Sequence, residues 1–240
     1  MPNEYKTQYY CMVFFDILGH KEDFKKINCL PNNQTEYLQF SKNIDESIGR
    51  VLRTREYFKR FFNDAPAYKP IVDNWPAELL DEFQTSQKKP DMSIYSLSDA
   101  MIIAVPLADS SDEHCAIVTG IYHTLVTVCK VGLKSLSKCT PVRAGIAVGL
   151  GTNIDGKEIC GPVLNKAYYL ETELAEYPRF LVEYGLIDYL SWVENQNITT
   201  SRGKVATYVA KYCKLMLMPD TDGWFMLDYL GEKCKDAYED

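Results

Sequence analysis

An acidic residue interrupts the most apolar stretch of the sequence. Asp16 lies in the segment YYCMVFFDILGH, which runs from Tyr9 to His20, and apolar residues precede and follow it. An unpaired carboxylate is costly to bury, so a buried Asp16 needs a hydrogen-bond donor, a cation or a metal ion beside it. The segment therefore predicts a buried strand that ends near a carboxylate with a chemical role.

A second acid occurs at a predicted turn. In SIYSLSDAMIIAVPL, the pattern up to Asp99 and the apolar run after it predict two short strands around Ser98 and Asp99. If the first strand lies beside this hairpin, Asp16 and Asp99 face each other. A Mg²⁺ or Mn²⁺ ion between them would keep both ionised, and the carbonyl of Ile17 could add an oxygen ligand. Ordinary turn chemistry also explains an aspartate at such a position.

An asparagine in a later segment could bind an anionic substrate. Asn165 lies in GKEICGPVLNKAYYLE, near the N-terminus of a predicted helix. Its amide could donate a hydrogen bond to a phosphate or ribose oxygen, assisted by the free N–H groups of the first helical turn. A helix cap is the alternative interpretation.

Periodicity along the chain predicts the elements that would position these residues. The order is strand, helix, hairpin, helix and strand, which is typical of a ferredoxin-like βαββαβ fold with a mixed, mainly antiparallel sheet and added helices, in the α+β class. The predicted core elements are a strand at residues 9–18, a helix from about Thr35 to Phe62, the hairpin, a helix at 112–136 and the strand PVRAGIAVGLG. Beyond them we expect a helix after GPVLN, a strand and turn in RFLVEYGLI, and two strands around Asp220–Gly223.

The length of 240 residues predicts a single domain, 1–240, with a helical and loop insertion at about residues 35–90. The net charge of −7 argues against nucleic acid as the main partner. No apolar run approaches the roughly 18 residues that a membrane-spanning helix needs, and MPNEYKTQ is not a signal peptide, so we expect a cytoplasmic protein without membrane contact. The eight cysteines form no C-x-x-C pair, and we expect reduced, mostly buried thiols.

Several motifs together resemble a known enzyme family. FFDILGH, SLSDAMII, VRAGIAVG and GPVLNKAYYLE occur in the order and spacing found in class III nucleotidyl cyclases. With LSDAMIIAVP, YPRFLV and DGWFMLDYL, the sequence more closely resembles the bacterial pyrimidine cyclases of the Pycsar antiphage system. Members of that family convert UTP or CTP to cyclic UMP or cyclic CMP during phage infection.

The resemblance implies a role for each matching residue. Asp16 and Asp99 would hold two Mn²⁺ or Mg²⁺ ions, assisted by the Ile17 carbonyl. Asn165 would orient the ribose and the transition state. In these cyclases the asparagine reaches the site from the partner chain, which implies a head-to-tail homodimer with active sites at the interface. The effector would be linked through the cyclic nucleotide rather than by direct binding.

The sequence departs from the purine cyclases at positions that bind substrate. Tyr169 stands where they carry a transition-state arginine, and Arg143 or Arg179 could replace it. Tyr95 stands at a base-selecting position, where an aromatic ring suits a smaller base. Glu158, at the other such position, could accept a hydrogen bond from cytosine or uracil, which leaves the choice between CTP and UTP open. A purine cyclase and a catalytically inactive nucleotide-binding regulator are the alternatives.

Overall fold

The structure is a computed structural model, and it describes residues 5–19, 22, 24–63, 75–77, 79, 90–107, 114–196 and 198–235. The strands are β1 (Tyr5–Ile17), β2 (Ser93–Leu97), β3 (Ala100–Pro106), β4 (Val142–Ile154), β5 (Glu158–Cys160), β6 (Phe180–Val182), β7 (Leu217–Pro219) and β8 (Phe225–Leu227). The helices are α1 (Gln34–Asn63), α2 (Cys115–Leu136), α3 (Pro162–Tyr169), α4 (Tyr184–Glu194), α5 (Ser201–Leu215) and α6 (Glu232–Lys235). A 3₁₀ turn occupies Lys25–Ile27, and α3 continues as a π-helical turn at Leu170–Leu174.

The strands form one sheet with the order β2-β3-β1-β4-β6-β8-β7, and β5 pairs with β4 outside this row. All pairs are antiparallel except β4 with β6. The succession β1-α1-β2-β3-α2-β4, with β1 between β3 and β4, is the ferredoxin-like βαββαβ arrangement. The predicted α+β fold class is therefore confirmed, as are the helix from Thr35 to Phe62 and the hairpin.

The two faces of β1 are covered by different helices. Its odd-numbered residues from Cys11 to Ile17 belong to the main core, together with residues of α1, α2, α4 and α5. Its even-numbered residues Tyr10, Met12 and Phe14 pack with Val163 and Ala167 of α3. Because side chains alternate along a strand, Asp16 lies on the face that α3 covers.

The helix α2 corrects one expectation from the sequence. By length and composition it could cross a membrane, which contradicts the expectation that no apolar run is long enough. Its threonines and His123 make the sequence look amphipathic, yet Thr119, Thr124, Thr127 and His123 are buried along with the apolar residues. In this fold α2 is a core helix, and 83% of its most apolar window is buried.

The segment after β6 also differs from the prediction. RFLVEYGLI was expected to be a strand and turn, but the strand ends at Val182 and Tyr184 begins α4. The helix α5 was not predicted. Its start is capped by Thr200, whose side chain accepts a hydrogen bond from the backbone N–H of Gly203. The single domain with an insertion at about 35–90 stays a prediction, because most of residues 64–89 lie outside the described residues.

Most cysteines are buried, as expected, but they are not all reduced thiols. Cys129 on α2 and Cys234 on α6 are joined as a disulfide. The remaining described cysteines are free, and three of them are exposed: Cys29, Cys139 and Cys160. Spacing along the chain gave no sign of this pair, because 105 residues separate its members.

Close packing of α3 on the sheet depends on a glycine in β4. Gly145 pairs with Phe14 on β1 and Leu181 on β6. A Cβ atom at Gly145 would overlap the carbonyl oxygen of Ala167 and lie 2.7 Å from the Cβ of Leu170. The absence of a side chain at this position therefore lets α3 approach the sheet and fixes the residues that follow it.

We predict that Gly145→Ala lowers the free energy of unfolding by about 1–3 kcal/mol, because the added methyl group overpacks the contact between α3 and β4. Gly49→Ala on α1 is the matched control. It meets only the ends of the flexible Asp45 and Arg53 side chains, so helix propensity should dominate and raise stability by about 0.5–1 kcal/mol. Urea unfolding of both variants measures this, and equal effects would contradict the packing argument.

Candidate active site

The two aspartates singled out in the sequence line the same cavity. Asp16, Ile17 and Asp99 contribute to a cavity of about 410 Å³ at one end of the sheet. The other residues that line it are Phe14, Leu18, Gly19, Glu22, Arg143, Glu171 and Thr172. The predicted juxtaposition of the two carboxylates thus follows from the β3-β1 pairing.

The ends of the strands determine where these carboxylates lie. The last β1–β4 pair is Ile17 with Val142, and the N–H of Leu18 donates to the carbonyl of Pro141 just beyond it. Gly19, with φ of +79°, then turns the chain. On the hairpin, Ser98 has φ of 58°, as a tight turn between paired strands requires, and Asp99 follows it immediately.

An arginine faces both the cavity and a buried acid. Arg143 on β4 pairs in register with Asp16 on β1, and its Nη2 lies 3.5 Å from Asp16 Oδ2. Its Nε forms an ion pair with Glu171, and its Nη1 donates to the carbonyl of Ala175 at 3.3 Å. The guanidinium group therefore joins the β1–β4 pair to the π-helical turn after α3.

Glu171 is a buried carboxylate, with a side chain only 1% exposed. Burial raises its pKa to about 7; the charge of Arg143 opposes this rise, and the charges of Asp16 and Asp99 add to it. Glu22, at the rim, is paired with Lys25. The other carboxylates among the described residues that line the cavity are those of Asp16 and Asp99, and Arg143 forms ion pairs with Asp16 and Glu171.

The residues of this cavity fit a hard divalent cation. The carboxylates of Asp16 and Asp99 and the main chain at Ile17, all at this cavity, offer the oxygen ligands that such a cation prefers. Within the described residues, no group of three or more His, Cys, Asp or Glu side chains could hold a metal ion. Mg²⁺ is commonly bound by one or two carboxylates and completes its coordination with water and substrate phosphates.

The other predicted residues lie away from this cavity. Asn165 and Tyr169 are exposed on α3, and Glu158 is exposed on β5. Tyr95 on β2 is half-buried, accepts a hydrogen bond of 2.6 Å from the amide of Asn153, and has a pKa raised chiefly by burial. The chain thus brings together the predicted metal ligands and leaves the predicted substrate-binding residues outside their cavity.

Arg179, the other arginine considered for catalysis, forms ion pairs within the fold. Its side chain is 4% exposed and forms ion pairs of 2.5 Å with Asp220 and 2.8 Å with Asp222. A hydrogen bond from Tyr177, with others from Thr221 and Arg179, lowers the pKa of Asp220 to about 2. Arg179 therefore fixes the turn between β7 and β8 and does not line the cavity around Asp16.

The interpretation of the sequence missed Glu171, although a signal was present. Val163, Ala167 and Glu171 recur at intervals of four, so Glu171 continues the stripe with which α3 faces the sheet. A carboxylate on a buried stripe is the same anomaly that drew attention to Asp16.

No protein-family model matches this sequence, and no curated protein is similar to it. Solved structures with a similar chain path include the adenylyl cyclase CyaB from P. aeruginosa, at 11% identity and a TM-score of 0.45 over 79% of this chain and 83% of that chain. Another is a class III adenylyl cyclase-like ATP-binding protein from Pseudomonas aeruginosa, at 13% identity and a TM-score of 0.47, covering 86% of this chain and 41% of that one. A bacterial light-regulated adenylyl cyclase matches at 10% identity and a TM-score of 0.41, and the match covers 97% of this chain and 96% of that one. Similarity this distant does not establish an activity, which we argue from the site itself.

The pKa of Glu171 predicts a dependence of stability on pH. Folding raises this pKa from 4.5 to about 7, so the folded chain binds more protons than the unfolded chain between these values. The free energy of unfolding contributed by Glu171 therefore falls as the pH rises through this window. In EDTA, Glu171→Gln should flatten the decline seen by urea unfolding from about pH 5 to about pH 8. Glu173→Gln, at an exposed position, should not, and an unchanged slope in Glu171→Gln would contradict the assignment.

Proposed function

We propose that this protein is a metal-dependent nucleotidyl cyclase that converts UTP or CTP to the 3′,5′-cyclic nucleotide and diphosphate. The observation that carries this proposal is the meeting of Asp16 and Asp99 in one cavity, beside Arg143. In the reaction, the ribose 3′-oxygen forms a bond to the α-phosphorus and loses its proton. The bond from the α-phosphorus to the bridging oxygen breaks, and diphosphate leaves with the electron pair.

Asp16, Asp99 and the carbonyl of Ile17 would hold two Mn²⁺ or Mg²⁺ ions. Such ions supply charge that favours ionisation of the 3′-hydroxyl and neutralises the triphosphate. The two aspartates must stay ionised to bind them, and their position at the strand ends lets substrate phosphates complete the coordination.

Arg143 is the better candidate to replace the arginine absent at Tyr169. It lines the cavity beside Asp16, whereas Arg179 is held by Asp220 and Asp222. A guanidinium group presents several N–H donors in a geometry that matches phosphate oxygens. We therefore assign to Arg143 the stabilisation of charge on the transferring phosphate.

The position of Asn165 supports an active site that is assembled from two copies of the chain. It is exposed on α3 and does not line the cavity formed by Asp16 and Asp99 of its own chain. A head-to-tail homodimer, as the sequence resemblance implies, would present Asn165 of one copy to the cavity of the other. Each interface would then contain a complete site.

The assignment of a pyrimidine base to the substrate and the proposed biological role both rest on the sequence resemblance. Tyr95 and Glu158 would contact the pyrimidine, and the preference for UTP or CTP is left open by their chemistry. We infer that the protein acts in the cytoplasm as a phosphorus–oxygen lyase in antiphage defence, with a cyclic nucleotide as the signal to an effector. Tyr169 favours one second candidate, a catalytically inactive nucleotide-binding regulator.

Asp16→Asn and Asp99→Asn should each lower cyclic nucleotide formation at least about a hundredfold, because each removes an ionised metal ligand. The assay incubates purified protein with ATP, GTP, CTP or UTP and Mn²⁺ and identifies products by mass spectrometry. Asp188→Asn, at an exposed position on α4, is the matched control and should keep full activity. Retained activity in either site variant would contradict the metal assignment, and a cyclic purine product would contradict the base assignment.

Mixing two inactive variants tests the shared site. Asp16→Asn and Asn165→Ala should each be inactive alone, but a heterodimer would contain one intact pair of Asp16 and Asn165. An equal mixture that exchanges subunits should regain about a quarter of the wild-type activity. Two Asp16→Asn preparations mixed in the same way are the control, and no recovery in the mixed variants would contradict the head-to-tail arrangement.

A further inference from the structure

Glu171 has no role in the function proposed so far, yet it lies at the centre of the charges around the cavity. It is nine-tenths or more buried, ion-paired with Arg143, and electrostatically coupled to Asp16 and Asp99. Stability alone is a weak explanation, because a buried ion pair is often no more stabilising than apolar residues of similar size. Its position relative to Arg143 suggests a more specific effect.

The guanidinium group of Arg143 contacts the segment after α3 on one side and Asp16 on the other. Nε faces Glu171 and Nη1 donates to the carbonyl of Ala175, so two of its nitrogens are directed to the segment after α3. Nη2 lies 3.5 Å from Asp16 Oδ2, which is longer than the 2.7–3.2 Å typical of a hydrogen bond. Asp16 and Arg143 face each other in register, so a freely rotating guanidinium group could form a bidentate pair with Asp16.

We propose that Glu171 is a positioning residue that holds Arg143 back from Asp16 and so limits the competition of Arg143 with a divalent cation for the Asp16 carboxylate. This role rests on the proposed function, because it concerns the same metal site. Without the Glu171 charge, Arg143 would pair fully with Asp16 and compete with the cation. Arg143 itself then has two states, one turned toward Glu171 and one that occupies the place of the metal ion.

The consequence is a coupling between Glu171 and Arg143 in metal affinity. Loss of a residue that orients a ligand typically weakens metal binding by about 10–100-fold. If Glu171 acts through Arg143, its removal should matter only while Arg143 is present. If Glu171 acts simply as a nearby negative charge, its removal should weaken metal binding by the same factor with or without Arg143.

Titration with Mn²⁺, followed by the electron paramagnetic resonance signal of free Mn²⁺, tests this in the absence of nucleotide. We expect Glu171→Gln to raise the Kd for Mn²⁺ about tenfold. In an Arg143→Met background, the same change should alter the Kd by less than about threefold. Glu171→Asp keeps a charged partner for Arg143 and should stay within about threefold of wild type, and exposed Glu173→Gln controls for the loss of one charge.

The possible outcomes separate the two proposals. Wild-type affinity in Glu171→Gln, or an equal loss in both Arg143 backgrounds, overturns the positioning role while the metal site stands. A loss in Glu171→Asp as large as in Glu171→Gln also overturns it, and this variant can be used if Glu171→Gln does not fold. If wild type binds Mn²⁺ no better than Asp16→Asn does, the proposed function fails and the positioning role fails with it.

Discussion

The ion pairs of Arg143 are the interaction on which the cavity depends. Three carboxylates approach one another at the end of the sheet, and the guanidinium group of Arg143 lies between two of them, Asp16 and Glu171. Without a cation there, burial of Glu171 beside Asp16 would be strongly unfavourable. Carboxylate oxygens gathered in one cavity are the ligands that a divalent cation prefers, and this is the physical basis for expecting one here.

The fold produces this arrangement through the sheet. The long β1–β4 pairing sets the register that places Arg143 opposite Asp16, and the β1–β3 pairing brings the hairpin turn with Asp99 alongside. The opposite face of β1 is covered by the main core, so the face with Asp16 is left to the short helix α3. The close approach of α3 at Gly145 then carries the following turn, with Glu171, to the edge of the cavity.

Much of this architecture could be predicted from local patterns in the sequence. The alternation in the hairpin, the apolar run around Asp16 and the helical period after Thr35 are strong signals, and each gave the observed element. The helix α5 was missed because much of its buried stripe is made of small residues, such as Ala206 and Ala210, which give a weak apolar pattern. The start of α4 was missed because it follows a strand of three residues with almost no connection.

The candidate site was predicted only in part, for a related reason. The meeting of Asp16 with Asp99 follows from topology, which the order of elements indicates. The pairing of Arg143 with Asp16 depends on strand register, and the contact of Arg143 with Glu171 depends on how α3 packs on the sheet. Neither contact is encoded in a local pattern of the sequence. The ion pairs of Arg179 with Asp220 and Asp222 likewise join residues about forty positions apart, so the sequence could not show that Arg179 is already committed.

The most direct test of the central claim is a crystal structure of the protein with Mn²⁺ and a non-hydrolysable UTP or CTP analogue, with anomalous scattering used to locate the manganese. The account predicts anomalous peaks at the carboxylates of Asp16 and Asp99, with Arg143 still paired to Glu171. Manganese absent from these carboxylates, with Arg143 paired to Asp16 in its place, would contradict it.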